Sequence, residues 1–196
     1  MIRKEPNFGA DMRVIAGSAR RLNLVTPKGN NTRPTSDKIK ETLFNILAPD
    51  LYGARFLDLY AGSGGIGIEA LSRGAKSCTF VERDKEAVKC IKKNLETTHF
   101  TDNSVVMASD VNSALYNLRV KERFDIVFMD PPYDQDLYAS TLSVIKSLDI
   151  IDKDTMIIAE AAADNDFSFA TSLGYEITRI KEYKNNKHVF IKLMEG

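Results

Sequence analysis

The sequence predicts an α/β fold: a mostly parallel, seven-stranded sheet ending in an antiparallel hairpin, preceded by a small β-hairpin and helix. Two observations predict it. From residue 55 onward, short apolar runs of strand type alternate with amphipathic helical stretches, the pattern of a parallel sheet covered on both faces by helices. The chain then closes with two alternating segments, 175–182 and 188–194. They are joined by Tyr183-Lys184-Asn185-Asn186-Lys187, a hairpin signal that adds an antiparallel edge.

Strands are expected over 55–60, 77–82, 104–108, 124–129 and 155–160. Helices are expected from 66 to 73, 85 to 98, about 111 to 118, and 137 to 148. The second of these places Ala87, Val88, Ile91 and Leu95 on one face. Residues 12–53 stand apart. Short strand candidates at 12–16 and 23–26 flank Gly17-Ser18-Ala19-Arg20-Arg21, and a polar loop over 27–35 follows. A helix then runs from about Ser36 to Leu47, capped by Ser36 or Asp37, with Ile39, Leu43, Ile46 and Leu47 as its apolar face. Residues 1–11 read as a disordered extension, giving a division into 1–11, an extension over 12–53 and a main domain over 54–196.

At 196 residues, with 43% hydrophobic and 28% charged content, the chain fits one globular domain of ordinary size. No run approaches the ~20 apolar residues of a membrane span, and the N-terminus lacks a secretory apolar region. Cys78 and Cys90 read as reduced core residues of a cytoplasmic protein. With His99 and His188 also scattered, no metal site is proposed. The net charge of zero hides an asymmetry. Residues 1–40 hold nine Lys/Arg against three Asp/Glu, while the rest hold 18 against 24. A basic arm on an acidic body suits a polyanionic partner, or is an ordinary solvated segment.

The chemistry gathers in loops that follow strands. Asp58-Leu59-Tyr60-Ala61-Gly62-Ser63-Gly64-Gly65-Ile66-Gly67 leads from the first strand of the main domain into a helix. Gly62, Gly64 and Gly67 satisfy G-x-G-x-x-G, the dinucleotide-binding pattern of Rossmann-like folds. Asp58 argues for a different ligand, because a carboxylate repels a pyrophosphate but welcomes an ammonium and a sulfonium. S-adenosylmethionine carries both, and a nicotinamide cofactor would also require a substrate domain. Ala61 and Ser63 belong to the same loop. Glu82, ending the second strand, is placed to accept from ribose hydroxyls, and Asp110, after the third, to receive an adenine amine. Asp84 reads as a helix cap, and each of the other carboxylates has that reading open too.

Asp130-Pro131-Pro132-Tyr133 follows the apolar run 124–129. Two prolines fix the backbone and remove two N–H donors, leaving carbonyl oxygens and one carboxylate beside an aromatic ring. Such a cluster suits a planar substrate bearing an NH2 group: the acceptors take the amine hydrogens and Tyr133 stacks on the base. A rigid loop with Asp130 capping the next helix is the plainer alternative. In the basic arm, Arg20, Arg21, Lys28, Arg33 and Lys38 suit phosphate contacts. Arg33 and Thr35 are candidates either for contact with the polyanion or for closing the cofactor pocket.

Three segments together resemble the bacterial RsmD-type methyltransferases. They are Arg13-Val14-Ile15-Ala16-Gly17 through Thr32-Arg33-Pro34-Thr35-Ser36-Asp37 to Glu41-Thr42-Leu43-Phe44-Asn45; Asp58 through Glu69-Ala70-Leu71-Ser72-Arg73-Gly74-Ala75; and Asp130-Pro131-Pro132-Tyr133. The first segment is the specific one, since many amino-methyltransferases share the other two. The C-terminal turn, with Tyr183-Lys184-Asn185-Asn186, departs from the family's usual form. The resemblance implies a class I S-adenosylmethionine-dependent methyltransferase fold. It also implies methylation of N2 of one guanine in 16S rRNA, the family target being guanine 966. The expected form is a cytoplasmic monomer acting on an assembling or assembled small ribosomal subunit. An adenine-N6 DNA or RNA methyltransferase and a non-enzymatic RNA-binding module are the alternatives.

Overall fold

The computed structural model describes residues 9–28, 36–118, 123–132 and 135–194. The main sheet is built from β3 (Arg55–Leu59), β4 (Ser77–Glu82), β5 (Ser104–Ala108), β6 (Ile126–Met129), β7 (Met156–Ala162), β8 (Tyr175–Glu182) and β9 (Asn186–Leu193). Their order is β5-β4-β3-β6-β7-β9-β8. β5, β4, β3, β6 and β7 pair in parallel, and β9 and β8 close the edge antiparallel. The expected α/β fold with a parallel sheet and terminal hairpin is therefore present. After β3 the chain builds β4 and β5 on one side, then crosses back to lay β6 on the other. The crevice between β3 and β6 is the switch point where ligands bind in such sheets.

Two apolar layers enclose the sheet. One face carries α4 (Val111–Asn117), α5 (Gln135–Ser147) and α6 (Phe169–Ser172), through residues such as Leu115, Leu142, Ile145 and Ala170. The other carries α1 (Asp37–Leu51), α2 (Gly65–Ser72) and α3 (Lys85–Thr98), joined by Val14, Ala19 and Leu24 of the N-terminal segment. Helix α3 buries Ala87, Val88, Ile91 and Leu95 as its spacing requires, along with Cys90, Asn94 and Thr98.

The N-terminal segment differs from expectation in an instructive way. The sequence places a strand at 12–16, but β1 spans Gly9–Arg13 and pairs with β2 (Asn23–Thr26). Ile15 and Ala16 are unavailable to a sheet because their N–H groups donate to the Glu69 carboxylate at 2.8 and 3.0 Å. β1 also takes three residues from the extension expected over 1–11, of which 1–8 lie outside the described residues. Helix α1 runs to Leu51 instead of Leu47, with Pro49 inside its last turn and Leu51 buried. Its buried face is Lys40, Leu43, Phe44, Leu47 and Leu51, so Leu43 and Leu47 of the expected face are buried while Ile39 and Ile46 lie half-buried at its edge.

Lys40 belongs to the basic arm by sequence yet is only 2% exposed. Its ammonium lies 3.2 Å from Glu69 and donates to the Arg13 carbonyl at 2.6 Å. Arg73 Nε donates to the same Glu69 at 2.8 Å. Burial pulls the Lys40 pKa down and Glu69 opposes it. Nearby, Gly17 at φ +85° brings the backbone so close that a Cβ would lie 1.8 Å from the Ser72 carbonyl oxygen. That carbonyl accepts from Ser18 N–H at 2.8 Å, while the Ser72 hydroxyl accepts from Ala19 N–H and donates to the Ala16 carbonyl.

Removing one partner of a buried ion pair leaves an uncompensated charge. Glu69→Ala is therefore expected to cost about 3–5 kcal/mol of unfolding free energy, measured by urea denaturation. Arg13→Ala, which breaks the exposed pair with Asp37, should cost no more than about 1 kcal/mol. Equal losses in the two variants would contradict the burial argument.

Candidate active site

The site forms where β3, β4, β5 and β6 end. Strand alternation carries Asp58 to the face shared with Phe80 and Phe128, its register partners on β4 and β6. The Asp58 side chain is buried, and its Oδ2 accepts from Gly67 N–H at 2.9 Å. Burial, with Glu82 adding repulsion, pushes its pKa up to about 7. This corrects the sequence expectation of a carboxylate displayed to an ammonium. Asp58 acts instead on the loop, anchoring the first turn of α2.

Glu82 is the second anchor. Its two oxygens accept from Gly62 N–H and Asp84 N–H, each at 2.8 Å, so one carboxylate joins the ends of β3 and β4. Asp84 is the N-cap of α3, accepting from Ala87 N–H. Asp110 is the N-cap of α4, accepting from Ser113 N–H, a bond that holds its pKa down. The cap occupies one of its oxygens, and the side chain is exposed at the carboxyl edge of the sheet.

The hydrogen bonds of the glycine loop separate the two candidate cofactors. A pyrophosphate needs free backbone N–H groups at a helix N-terminus. Here Gly62 N–H is taken by Glu82, Gly64 N–H by the Ala61 carbonyl at 2.8 Å, and Gly67 N–H by Asp58. The loop is arranged by carboxylates and offers no bare N–H cradle at its three motif glycines. Above it, a Cβ on Gly62 would meet nothing within 4 Å, leaving open space over the loop. A neutral or cationic ligand body beside acidic groups fits this surface; a pyrophosphate does not.

Ala61 and Gly62 are half-buried, whereas Ser63 and Gly64 are buried. Ser63 lies under the N-terminal segment: its carbonyl accepts from Asn94 Nδ2 at 2.9 Å, and its hydroxyl faces Met12 Sδ. Asn94 also exchanges two hydrogen bonds with Val25, accepting from its N–H at 2.7 Å and donating to its carbonyl at 2.9 Å. Residues 12–26 are thus pinned to the glycine loop from outside.

Asp130 and Pro132 are exposed at the mouth of the cleft and Pro131 is buried. Although the Asp130 side chain opens to solvent, surrounding protein and the carboxylates of Glu160 and Asp58 raise its pKa above the usual carboxylate range. Tyr133, Arg33 and Thr35 lie outside the described residues. Arg20, Arg21, Lys28 and Lys38 are all exposed, with Arg21 at a left-handed φ of 71°.

Sequence reasoning passed over several residues here. Asn94 recurs on the buried stripe 87, 91, 94, 98 of α3, a helical spacing that marks a polar side chain turned inward. Tyr60 adopts φ 60°, rare for a non-glycine residue, and its hydroxyl hydrogen-bonds the buried Thr141 hydroxyl of α5 at 2.9 Å. That bond links the glycine loop to the helix following Asp130. No local pattern announced it.

A family model described as conserved hypothetical protein 95 matches residues 12–192. The chain belongs to this family. Ribosomal RNA small subunit methyltransferase D of Escherichia coli (strain K12) is 35% identical over 164 residues, 83% of this chain and 81% of that protein. The protein YlbH of Bacillus subtilis (strain 168) is 43% identical over 150 residues, 76% of this chain and 82% of its own length. Among solved structures, Escherichia coli yhhF superposes with a TM-score of 0.83 at 32% identity, covering 95% of this chain and 99% of that one. These matches place the chain among the RsmD-type methyltransferases, and the fold is that of S-adenosylmethionine-dependent methyltransferases.

The buried, protonatable Asp58 gives this RsmD-type chain a pH signature. Its folded pKa is raised, so its contribution to stability is present below its unfolded value of about 3.9 and is lost as pH rises through about 7. Asp58→Asn keeps an acceptor for Gly67 N–H without the charge. Thermal melts from pH 4 to 8 should show a flatter decline for this variant than for the unsubstituted chain. Parallel curves would refute the assignment.

Proposed function

We propose that this RsmD-type methyltransferase transfers a methyl group from S-adenosylmethionine to the exocyclic N2 of one guanine in 16S rRNA. The observation that carries the reading is the site geometry. A glycine loop whose motif N–H groups are already bonded adjoins Glu82 and, across the switch point, Asp130 with its two prolines. The named activity of the Escherichia coli and Haemophilus influenzae relatives, ribosomal RNA small subunit methyltransferase D, supports RNA as the substrate.

Glu82 keeps unused lone pairs after joining Gly62 and Asp84, and accepts from the ribose hydroxyls of the donor. Asp110, exposed at the carboxyl edge of the sheet, receives the adenine amine. S-adenosylmethionine, once bound, supplies an electrophilic methyl on a sulfonium. The chain's own work is positioning, because guanine N2 is a weak nucleophile whose lone pair is delocalised into the ring. The Asp130 carboxylate and the Pro131 carbonyl accept the two amine hydrogens and turn the lone pair toward the methyl. The proton lost from N2 passes to Asp130, whose raised pKa suits it to receive one. Tyr133 stacks on the extruded base, worth ~1–3 kcal/mol in comparable sites.

The RNA lies across the arm face, with Arg20, Arg21, Lys28 and Lys38 on its phosphates. Lys40 and Arg13 are not part of that set, since each is paired within the protein. Because residues 12–26 also pin the cofactor loop, point substitutions test the arm more cleanly than truncation.

Asp130→Ala should bind S-adenosylmethionine within about twofold of the unsubstituted chain by calorimetry, with transfer to 16S rRNA abolished; retained turnover would sink its role. Nucleoside mass spectrometry of rRNA from cells lacking the protein should show loss of N2-methylguanosine. Replacing Arg20, Arg21 and Lys28 together with Ala should weaken RNA binding and lower its log–log salt slope by about one per lost contact. An unchanged slope would remove the arm from the interface.

A further inference from the structure

Beside Asp130 lies a buried polar chain that the methyl-transfer reading leaves without a role. Met129 of β6 pairs in register with Ala159 of β7, so the next position sets Asp130 next to Glu160. Glu160 pairs in register with His188 of β9. Glu160 is 8% exposed and His188 fully buried. The two meet through His188 Nε2 and Glu160 Oε2 at 3.3 Å. Asn186 Nδ2 donates to Glu160 Oε1 at 2.7 Å, and the Tyr183 hydroxyl meets His188 Nδ1 at 3.0 Å. Tyr138 of α5 fixes the backbone at the same point, its hydroxyl donating to the Glu160 carbonyl at 2.7 Å.

One donor direction follows from valence. Asn186 Nδ2 can only donate, so Glu160 Oε1 accepts. Glu160 Oε2 meets His188 Nε2, and His188 Nδ1 meets the Tyr183 hydroxyl, so the three side chains form one continuous hydrogen-bonded row. Edge contacts from Phe128 and Tyr183, with ring centroids at 6.2 and 5.2 Å, hold the imidazole plane. Both Glu160 oxygens and both imidazole nitrogens are thereby bonded, which holds the Glu160 carboxyl group in place one strand away from Asp130.

We propose that Glu160 is a positioning residue for methyl transfer, its carboxylate fixed beside Asp130 by the hairpin residues His188, Asn186 and Tyr183. The inference rests on the reading of Asp130 as the acceptor of the amine hydrogens. A fixed negative charge next to Asp130 disfavours a second ionised carboxylate there, so Asp130 binds a proton more readily. In the reaction, the N2–methyl bond forms from the nitrogen lone pair, the carbon–sulfur pair leaves with sulfur, and the N2 proton goes to Asp130. Glu160 makes that last transfer favourable without touching the base. Asp130 then releases the proton to solvent through the open cleft.

The charged and titratable groups around the pair come from each neighbouring strand. Asp58 of β3 adds repulsion to that of Glu160 at Asp130. On the hairpin, Glu160 raises and Arg179 lowers the pKa of Tyr183, which burial pushes up to about 12. Lys181 lies 5.9 Å over the Tyr183 ring, outside the Glu160 contact. His188 completes the set on β9. A strongly acidic surround of this kind is what a cationic methyl donor would balance.

The test is the pH profile of single-turnover methyl transfer to 16S rRNA by the full chain. Activity needs Asp130 ionised, so the acidic limb reports its proton affinity. In Glu160→Gln the limb should move to lower pH by roughly one unit, with S-adenosylmethionine affinity within about twofold and KM for RNA unchanged. Glu160→Asp, keeping the charge, should return the limb most of the way. If Glu160→Gln fails to fold by thermal melting, Tyr183→Phe, which frees the imidazole tautomer, should move the limb in the same direction by less. A limb that stays put in the folded variant overturns the inference and leaves the methyltransferase reading standing. No methyl transfer by the unsubstituted chain overturns both.

Discussion

The Glu69 carboxylate is the point through which the N-terminal segment, α1 and α2 are held together. It is fully buried and faces four donors: the N–H groups of Ile15 and Ala16, the Lys40 ammonium and the Arg73 guanidinium. A charge in that position is tolerable only because its lone pairs are filled by charged and backbone donors. Four residues upstream in the same helix begins the turn that Asp58 anchors through Gly67. Residues 12–26, which carry the exposed arginines, are thus fixed to the helix that opens at the glycine loop. Asn94 and Ser72 repeat the device on either side, each satisfying backbone groups of the segment.

Acidic groups crowd the carboxyl ends of the strands. Asp58, Glu82, Asp130 and Glu160 stand on β3, β4, β6 and β7 or just beyond, and the first and third have pKa values raised by burial first and by their acidic neighbours second. Two of them spend oxygens on loop N–H groups, which is why the glycine motif presents no phosphate cradle. In a site without compensating cations this crowding is a cost to the folded state. Such a concentration of negative charge favours a cationic ligand, the charge that the proposed methyl donor carries.

Much of the architecture was legible because it depends on local period. Alternating βα units and the closing hairpin correspond to the observed parallel sheet and antiparallel edge, and Ala87, Val88, Ile91 and Leu95 of α3 bury together as a 3.6-residue repeat demands. The miss at β1 has a different origin. Ile15 and Ala16 look like part of a strand, but their N–H groups find partners on a helix more than fifty positions away. Pattern reading counts side chains and says nothing about which distant side chain claims a backbone donor.

The order of elements, the glycine loop after β3 and the acceptor cluster after β6 are each written in consecutive residues with fixed steric and hydrogen-bonding character, and so are readable without the fold. The tertiary structure alone decided the use of each charge. Lys40 is a buried counter-ion instead of an arm residue, Asp58 an anchor instead of a displayed carboxylate, and Glu160 a neighbour of Asp130 through strands 30 residues apart. A side chain's chemistry is intrinsic, but its role follows from burial and from which partners the fold brings within about 3 Å.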